Sequence, residues 1–220
     1  MSDRTQAQAT PRLVETPEEI EYELRAAEGA TWTGTRLLIG VVGFAFASLA
    51  FAYFYLRSSN SEGLWRLHGE SAPMALGSAV FALTVGAAAL LYLGNLRRRQ
   101  GTNLDWQVAG WTVVVLGLLT VALQVLELTR LSFYPGSSGY ASCFIAWAVM
   151  NIVLLLACVY WIETLLARLA RLRRAMADEG VAPGGLPADR IHNASAEGCV
   201  LFWGFAAFIS TLFWVFFYVM

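Results

Sequence analysis

Lysine is absent from this sequence, histidine occurs twice, cysteine three times, and charged residues fill only 14% of 220 positions. Each shortage removes a class of function. The two histidines, His68 and His192, fall in loops between apolar runs and belong to opposite faces of the membrane topology derived below, so they cannot share a metal. A haem held at membrane depth needs an axial His or Met, and a copper site needs several His or Cys together. The apolar runs contain no histidine. Their methionines, Met74, Met150 and Met220, stand alone or near run ends. Cys143, Cys158 and Cys199 lie within apolar runs without CxxC spacing, which fits small buried side chains better than a redox or metal role. The sequence has no GxxxxGK[ST] loop, no GxGxxG after a strand, no GxSxG and no HExxH, which removes the familiar nucleotide, serine-hydrolase and metalloprotease chemistries.

What the sequence does have is hydrocarbon. Hydrophobic residues make up 57% of it and the mean hydropathy is +0.55, too apolar for a soluble domain to cover with polar surface. Five charge-poor stretches, about 37–56, 72–96, 106–128, 140–163 and 198–220, can each cross a hydrocarbon layer of roughly 30 Å as a helix. Runs such as VVGFAFASLAFAYFYL do not alternate in polarity, which excludes the strands of a membrane barrel. The expected fold is all-α: a polytopic membrane protein with a bundle of five transmembrane helices at 36–220, preceded by a cytoplasmic segment at 1–35.

Orientation follows from arginine. Twelve of the fifteen arginines flank the runs on one side, and only Arg57, Arg66 and Arg130 lie on the other. The positive-inside rule places the N-terminus in the cytoplasm and the C-terminus outside. The first 30 residues carry seven acidic residues and three arginines, unlike a signal peptide. Within them Thr16, Pro17 and Glu19 form a capping box, and Ile20, Leu24 and Ala27 form a stripe, predicting a short amphipathic helix whose acidic face suits a partner protein better than anionic lipid. The fourth run continues through ETLLARLARLRRAM with Leu165, Leu169, Leu172 and Met176 at helical spacing. The Gly- and Pro-rich DEGVAPGGLPADR then predicts a loop, with Ser195 and Glu197 opening the last span. Gly43 with Ala47, and Ser78 with Ala82 and Gly86, recur four apart as packing faces.

Three polar side chains stand out inside the spans: Gln124, Glu127 and Asn151. Intramembrane polar groups mark function or helix-helix contact. Gln124 and Glu127, three apart, share one helix face, and Arg130 lies a further three on, so an interhelical hydrogen bond plus a local ion pair is the expectation. Glu127 and Glu163 lie near opposite rims, where each can reach the interface. Arg97, Arg98, Arg99, Arg171, Arg173 and Arg174 are placed to meet lipid headgroups.

The strings FAYFYLRSS, LQVLELTRLSFYPGSSGYASCFIAW and LFWGFAAFISTLFWVFFY, in that order, resemble subunit III of the haem-copper oxidases, in its shorter five-helix form, over about 37–220. Gln124 and Glu127 stand where that family has a Gln and a Glu. Departures are also clear. Val42 stands where the family usually has a Glu, Asn151 and Leu154 stand where it has two histidines, and Trp203, Gly204, Phe205, Ala206 and Ala207 replace a WHFxD pattern.

The resemblance implies a non-catalytic component of a bacterial respiratory complex in the cytoplasmic membrane. Such a component packs against the catalytic subunit I beside subunit II, contacts phospholipid, and supports assembly, durability and proton uptake. Haem and copper would reside in those partners and no cofactor in this chain. Two alternatives remain: a subunit III-like accessory of a nitric oxide reductase, and a small transporter, against which stands the lack of an inverted repeat or a central charge.

Overall fold

The computed structural model describes residues 16–60, 63, 65–179 and 187–220, with the side chains of 103, 175–179 and 187–189 left out. Among the described residues the chain is all helical: α1 Pro17–Ser58, α2 Met74–Arg99, α3 Asn103–Thr129, α4 Gly139–Glu179 and α5 Pro187–Trp214, the last passing into a π-helical turn, Val215–Val219. All five helices are long and apolar enough to cross a membrane, and the chain is a multi-pass membrane protein by that measure.

α1 starts as its sequence dictates. Thr16 Oγ1 accepts from the Glu19 N–H at 3.3 Å, Glu19 Oε2 accepts from the Thr16 N–H at 2.7 Å, and Pro17 takes the first helical position. The helix then runs unbroken for 42 residues, across the boundary drawn at residue 35. No proline lies between Pro17 and Pro73, and Gly29, Gly34 and Gly40 lower helix propensity without redirecting the chain. α4 likewise runs 41 residues, through the predicted cytoplasmic extension, with Leu165 and Leu169 buried. The Met176 side chain and most of the DEGVAPGGLPADR loop lie outside the described residues.

One boundary is corrected. α5 opens at Pro187, so Ser195 and Glu197 lie more than two turns inside it, and His192 belongs to a helix rather than a loop. Pro187 is itself a good first helical residue, and that signal outranks the later Ser–Glu pair.

α2 and α3 form a tight hairpin. Gly101 takes φ 94°, and the Gly101 and Thr102 N–H groups donate to the carbonyls of Arg98 and Arg97, closing α2 with a Schellman motif. Close approach follows: a Cβ placed on Gly94 would sit 2.6 Å from the Ala109 Cβ. Further along α3, Gly110 faces Leu166, and Gly117 faces Val159 and Trp203, so these two glycines seat α4 and α5. The packing face of α2 is therefore Gly77, Val80, Thr84, Ala87, Leu91 and Gly94, all buried. The expected face was a different one. Of Ser78, Ala82 and Gly86, only Ser78 has a partner, the Trp214 indole N–H at 3.0 Å, while Ala82 and Gly86 face outward. Small residues abound on several faces of α2, so four-residue spacing alone did not select the buried one.

α4 is the most enclosed helix, with half of its most apolar stretch buried, and α1 the most exposed, with 11%. Contacts gather the N-terminal ends of α1, α3 and α5 with the C-terminal ends of α2 and α4. One end of the bundle is joined by arginines and the other by aromatic rings.

Candidate functional site

The deepest polar side chains meet. Gln124 of α3 and Asn151 of α4 are completely buried, and the Asn151 amide Nδ2 donates to Gln124 Oε1 at 2.8 Å. Ser210 of α5, also buried, donates from its hydroxyl to Asn151 Oδ1 at 3.4 Å. An unpaired amide inside hydrocarbon costs several kcal/mol, whereas one paired across helices contributes about 0.6 kcal/mol on average. The pairing therefore does more to fix register between α3, α4 and α5 than to add stability.

Glu127 lies one turn beyond Gln124 on the same face and is fully buried. This corrects the expectation that it reaches the interface and pairs with Arg130. Arg130 instead ends α3 through its backbone N–H, which donates to the Glu127 carbonyl at 3.0 Å. The Glu127 carboxyl accepts the hydroxyl of Tyr218. That hydroxyl comes from the end of α5, and the Tyr218 ring meets Phe144, which in turn meets Phe133 and Tyr140.

The π-helical turn makes that lid. By widening the last turn of α5 it buries Phe217 in the core and brings Tyr218 onto α3. Carbonyls in the turn find partners elsewhere: the Tyr53 hydroxyl donates to the Phe216 carbonyl at 2.7 Å, and the Tyr140 hydroxyl to the Phe217 carbonyl at 3.1 Å. Arg57 braces both sides, donating to the Tyr53 hydroxyl at 2.9 Å and to the Met220 carbonyl at 3.1 Å. The Tyr218 ring lies against Gly77, where an added Cβ would meet Tyr218 Cζ at 2.1 Å. Helical periodicity could not have shown this partner of Glu127, because the π turn shifts the register. The only signal in the sequence was the aromatic run FWVFFY itself.

A loop clasp centred on Glu70 flanks the lid, and no motif in the sequence marks it. Glu70 accepts from the hydroxyls of Ser137 and Ser138 at 2.6 Å each and from the Leu67 N–H at 3.1 Å, tying the α1–α2 loop to the α3–α4 loop. Arg66 donates to the Glu70 carbonyl at 2.7 Å and lies 4.7 Å over the Tyr140 ring. Burial pushes the Glu70 carboxyl upward, but the two serine hydroxyls, the Leu67 amide and the Arg66 charge outweigh it and hold Glu70 below the ordinary carboxylate range.

At the opposite end, Arg190 bridges Glu28 at 2.8 Å and Glu21 at 2.7 Å, so the acidic face of the N-terminal arm finds a partner within its own chain. The arginines expected at lipid divide into two groups. Arg97, Arg99, Arg171 and Arg174 are exposed, although Arg99 also pairs with Glu197 at 2.8 Å. Arg98 is enclosed, donating to Asn95 and Asn193 and lying 5.6 Å over the Trp106 ring, and Arg173 donates to Gln107 at 2.6 Å. Glu163 is exposed. His68 lies in the α1–α2 loop and His192 in α5, and among the described residues no three His, Cys, Asp or Glu side chains come together as a metal site. No family model matches the chain, and no curated protein matches it.

Proposed function

We propose that this chain is a subunit III-like component of a bacterial respiratory haem-copper oxidase in the cytoplasmic membrane. In this reading it packs against subunit I beside subunit II, contacts phospholipid, and supports assembly, durability and proton uptake without a redox centre of its own. One observation carries the reading. The three strings that resemble subunit III come from the end of α1, the α3–α4 hairpin and α5, and they converge on one cluster through Tyr53, Tyr140, Phe216, Phe217, Tyr218 and Glu127. A resemblance scattered over unrelated surfaces would carry less weight than one whose parts build a single packed unit.

A second reading, an accessory subunit of a nitric oxide reductase, is favoured by the apolar replacements. Val42, Leu154 and Ala207 now stand where the resembled family has polar groups, and Leu154 is buried in the core. A mild-detergent pulldown of the chain from its native membrane, with subunit identification and a reduced-minus-oxidised haem spectrum, tests both. A stoichiometric haem-copper catalytic subunit is the expected result, and its preference for oxygen or nitric oxide separates the readings. A colourless chain without partners overturns both and returns the function to the transporter class.

A further inference from the structure

Two buried atoms in the polar core lack a partner among the described residues: Gln124 Nε2 and Glu127 Oε2. They belong to fully buried side chains three residues apart on one face of α3. One is a donor and the other an acceptor, yet they do not bond to each other. Such a pair left dry forfeits a hydrogen bond at each atom in a medium where that loss is heaviest. A buried water serves such a site when it can bond to two or more polar groups that otherwise lack partners.

We propose that Gln124 and Glu127 bind a single internal water molecule, which accepts from Gln124 Nε2 and donates to Glu127 Oε2. The oxygens beside these two atoms are already engaged. Gln124 Oε1 accepts from Asn151, Asn151 Oδ1 accepts from Ser210, and Glu127 Oε1 accepts from the Tyr218 hydroxyl. The water joins two short chains into one that runs Ser210, Asn151, Gln124, water, Glu127, Tyr218, crossing from α5 through α4 and α3 and back to the end of α5. Gly77 and the π turn are the positioning elements, because they set the Tyr218 ring beside Glu127 and close the site from the aromatic end. The inference does not depend on the proposed function, since it concerns atoms within this chain.

A density map of the wild-type protein, in the complex or detergent particle in which it purifies and at a resolution that shows ordered water, is the primary test. The expected result is one peak within hydrogen-bond distance of both Gln124 Nε2 and Glu127 Oε2. Direct contact between the two side chains, or dry packing between them, overturns the proposal. Infrared spectra of the same protein in ordinary and ¹⁸O-labelled water give a second readout. The wild type should show an isotope-shifted internal-water O–H band that Gln124→Leu and Glu127→Leu each abolish. Glu127→Gln, whose amide oxygen still accepts, should keep it. A band that survives both leucine variants also overturns the proposal, and where those variants fail to fold the wild-type map decides.

Discussion

The two ends of the bundle are held by opposite means. At the arginine end, Arg190, Arg98 and Arg99 tie α1, α2 and α5 together through Glu21, Glu28, Glu197 and two asparagines, and part of that network is open to solvent. At the aromatic end, rings from α1, α4 and α5 pack edge to face around Phe217, and the fully buried carboxyl of Glu127 bonds to a phenol rather than to a cation. Charge pairs at an exposed surface are weakened by salt and by side-chain entropy, whereas dispersion between close-packed rings is indifferent to ionic strength. The aromatic end should therefore be the anchor of the fold and the arginine end an adjustable tie.

The sharpest way to break that comparison is Trp147→Ala. Trp147 is fully buried and touches Phe46, Phe213, Phe216 and Phe217, with ring centroids 5.5–6.3 Å away. Its truncation should cost about 3–5 kcal/mol in reversible unfolding from detergent micelles. A loss below about 1 kcal/mol would remove the aromatic end as anchor.

Next in size is Gly77→Val, which places atoms where the Tyr218 ring lies. Overpacking of this kind should cost about 1–3 kcal/mol. Because the penalty acts through one side chain, Gly77→Val combined with Tyr218→Ala should cost less than the sum of the two single variants. Simple additivity would show that Tyr218 is not seated on Gly77.

Glu70 gives a smaller, pH-dependent effect. Its carboxyl is held below the ordinary value of 4.5 in the folded state, so the stability it contributes is fully present above that value and is lost as pH falls through the lower folded value. Unfolding midpoints followed downward from neutral pH should fall more steeply in the wild type than in Glu70→Gln below about pH 4.5. Parallel curves would mean that the clasp carries no linked proton.

The smallest effect belongs to Arg190, whose side chain is 39% exposed. Arg190→Gln should loosen the N-terminal arm, seen as faster amide exchange before Trp32, and the difference from wild type should shrink in high salt. An arm equally protected in both proteins would place its docking in apolar contacts instead.

The sequence shows the gross fold because hydrocarbon-crossing runs are long and their chemistry is unambiguous, and the Thr16–Glu19 box sets the start of α1 for the same local reason. Gln124 and Asn151 could be picked out as deep polar residues, but nothing in a linear pattern says that they bond to each other. Three features were hidden for physical reasons. The buried face of α2 is masked by small residues on several faces. Arg98 reads as one more headgroup arginine until Asn95 and Asn193 enclose it. Glu127 reads as a rim residue because its cover comes from a π turn some ninety residues later in the chain. Register shifts and long-range lids leave no period to detect.

The unbroken α1 has a mechanical consequence. A helix of 42 residues is about 60 Å long, roughly twice the hydrocarbon thickness. Its first twenty residues extend toward the arginine end as a stiff strut, while Tyr53 and Arg57 near the other extremity are fastened to the π turn. A continuous helix with no proline inside it transmits tilt along its length. A push sideways on the acidic tip therefore acts as torque about the bundle, and the opposing load falls on the bonds from Tyr53 and Arg57 to the carbonyls of Phe216 and Met220.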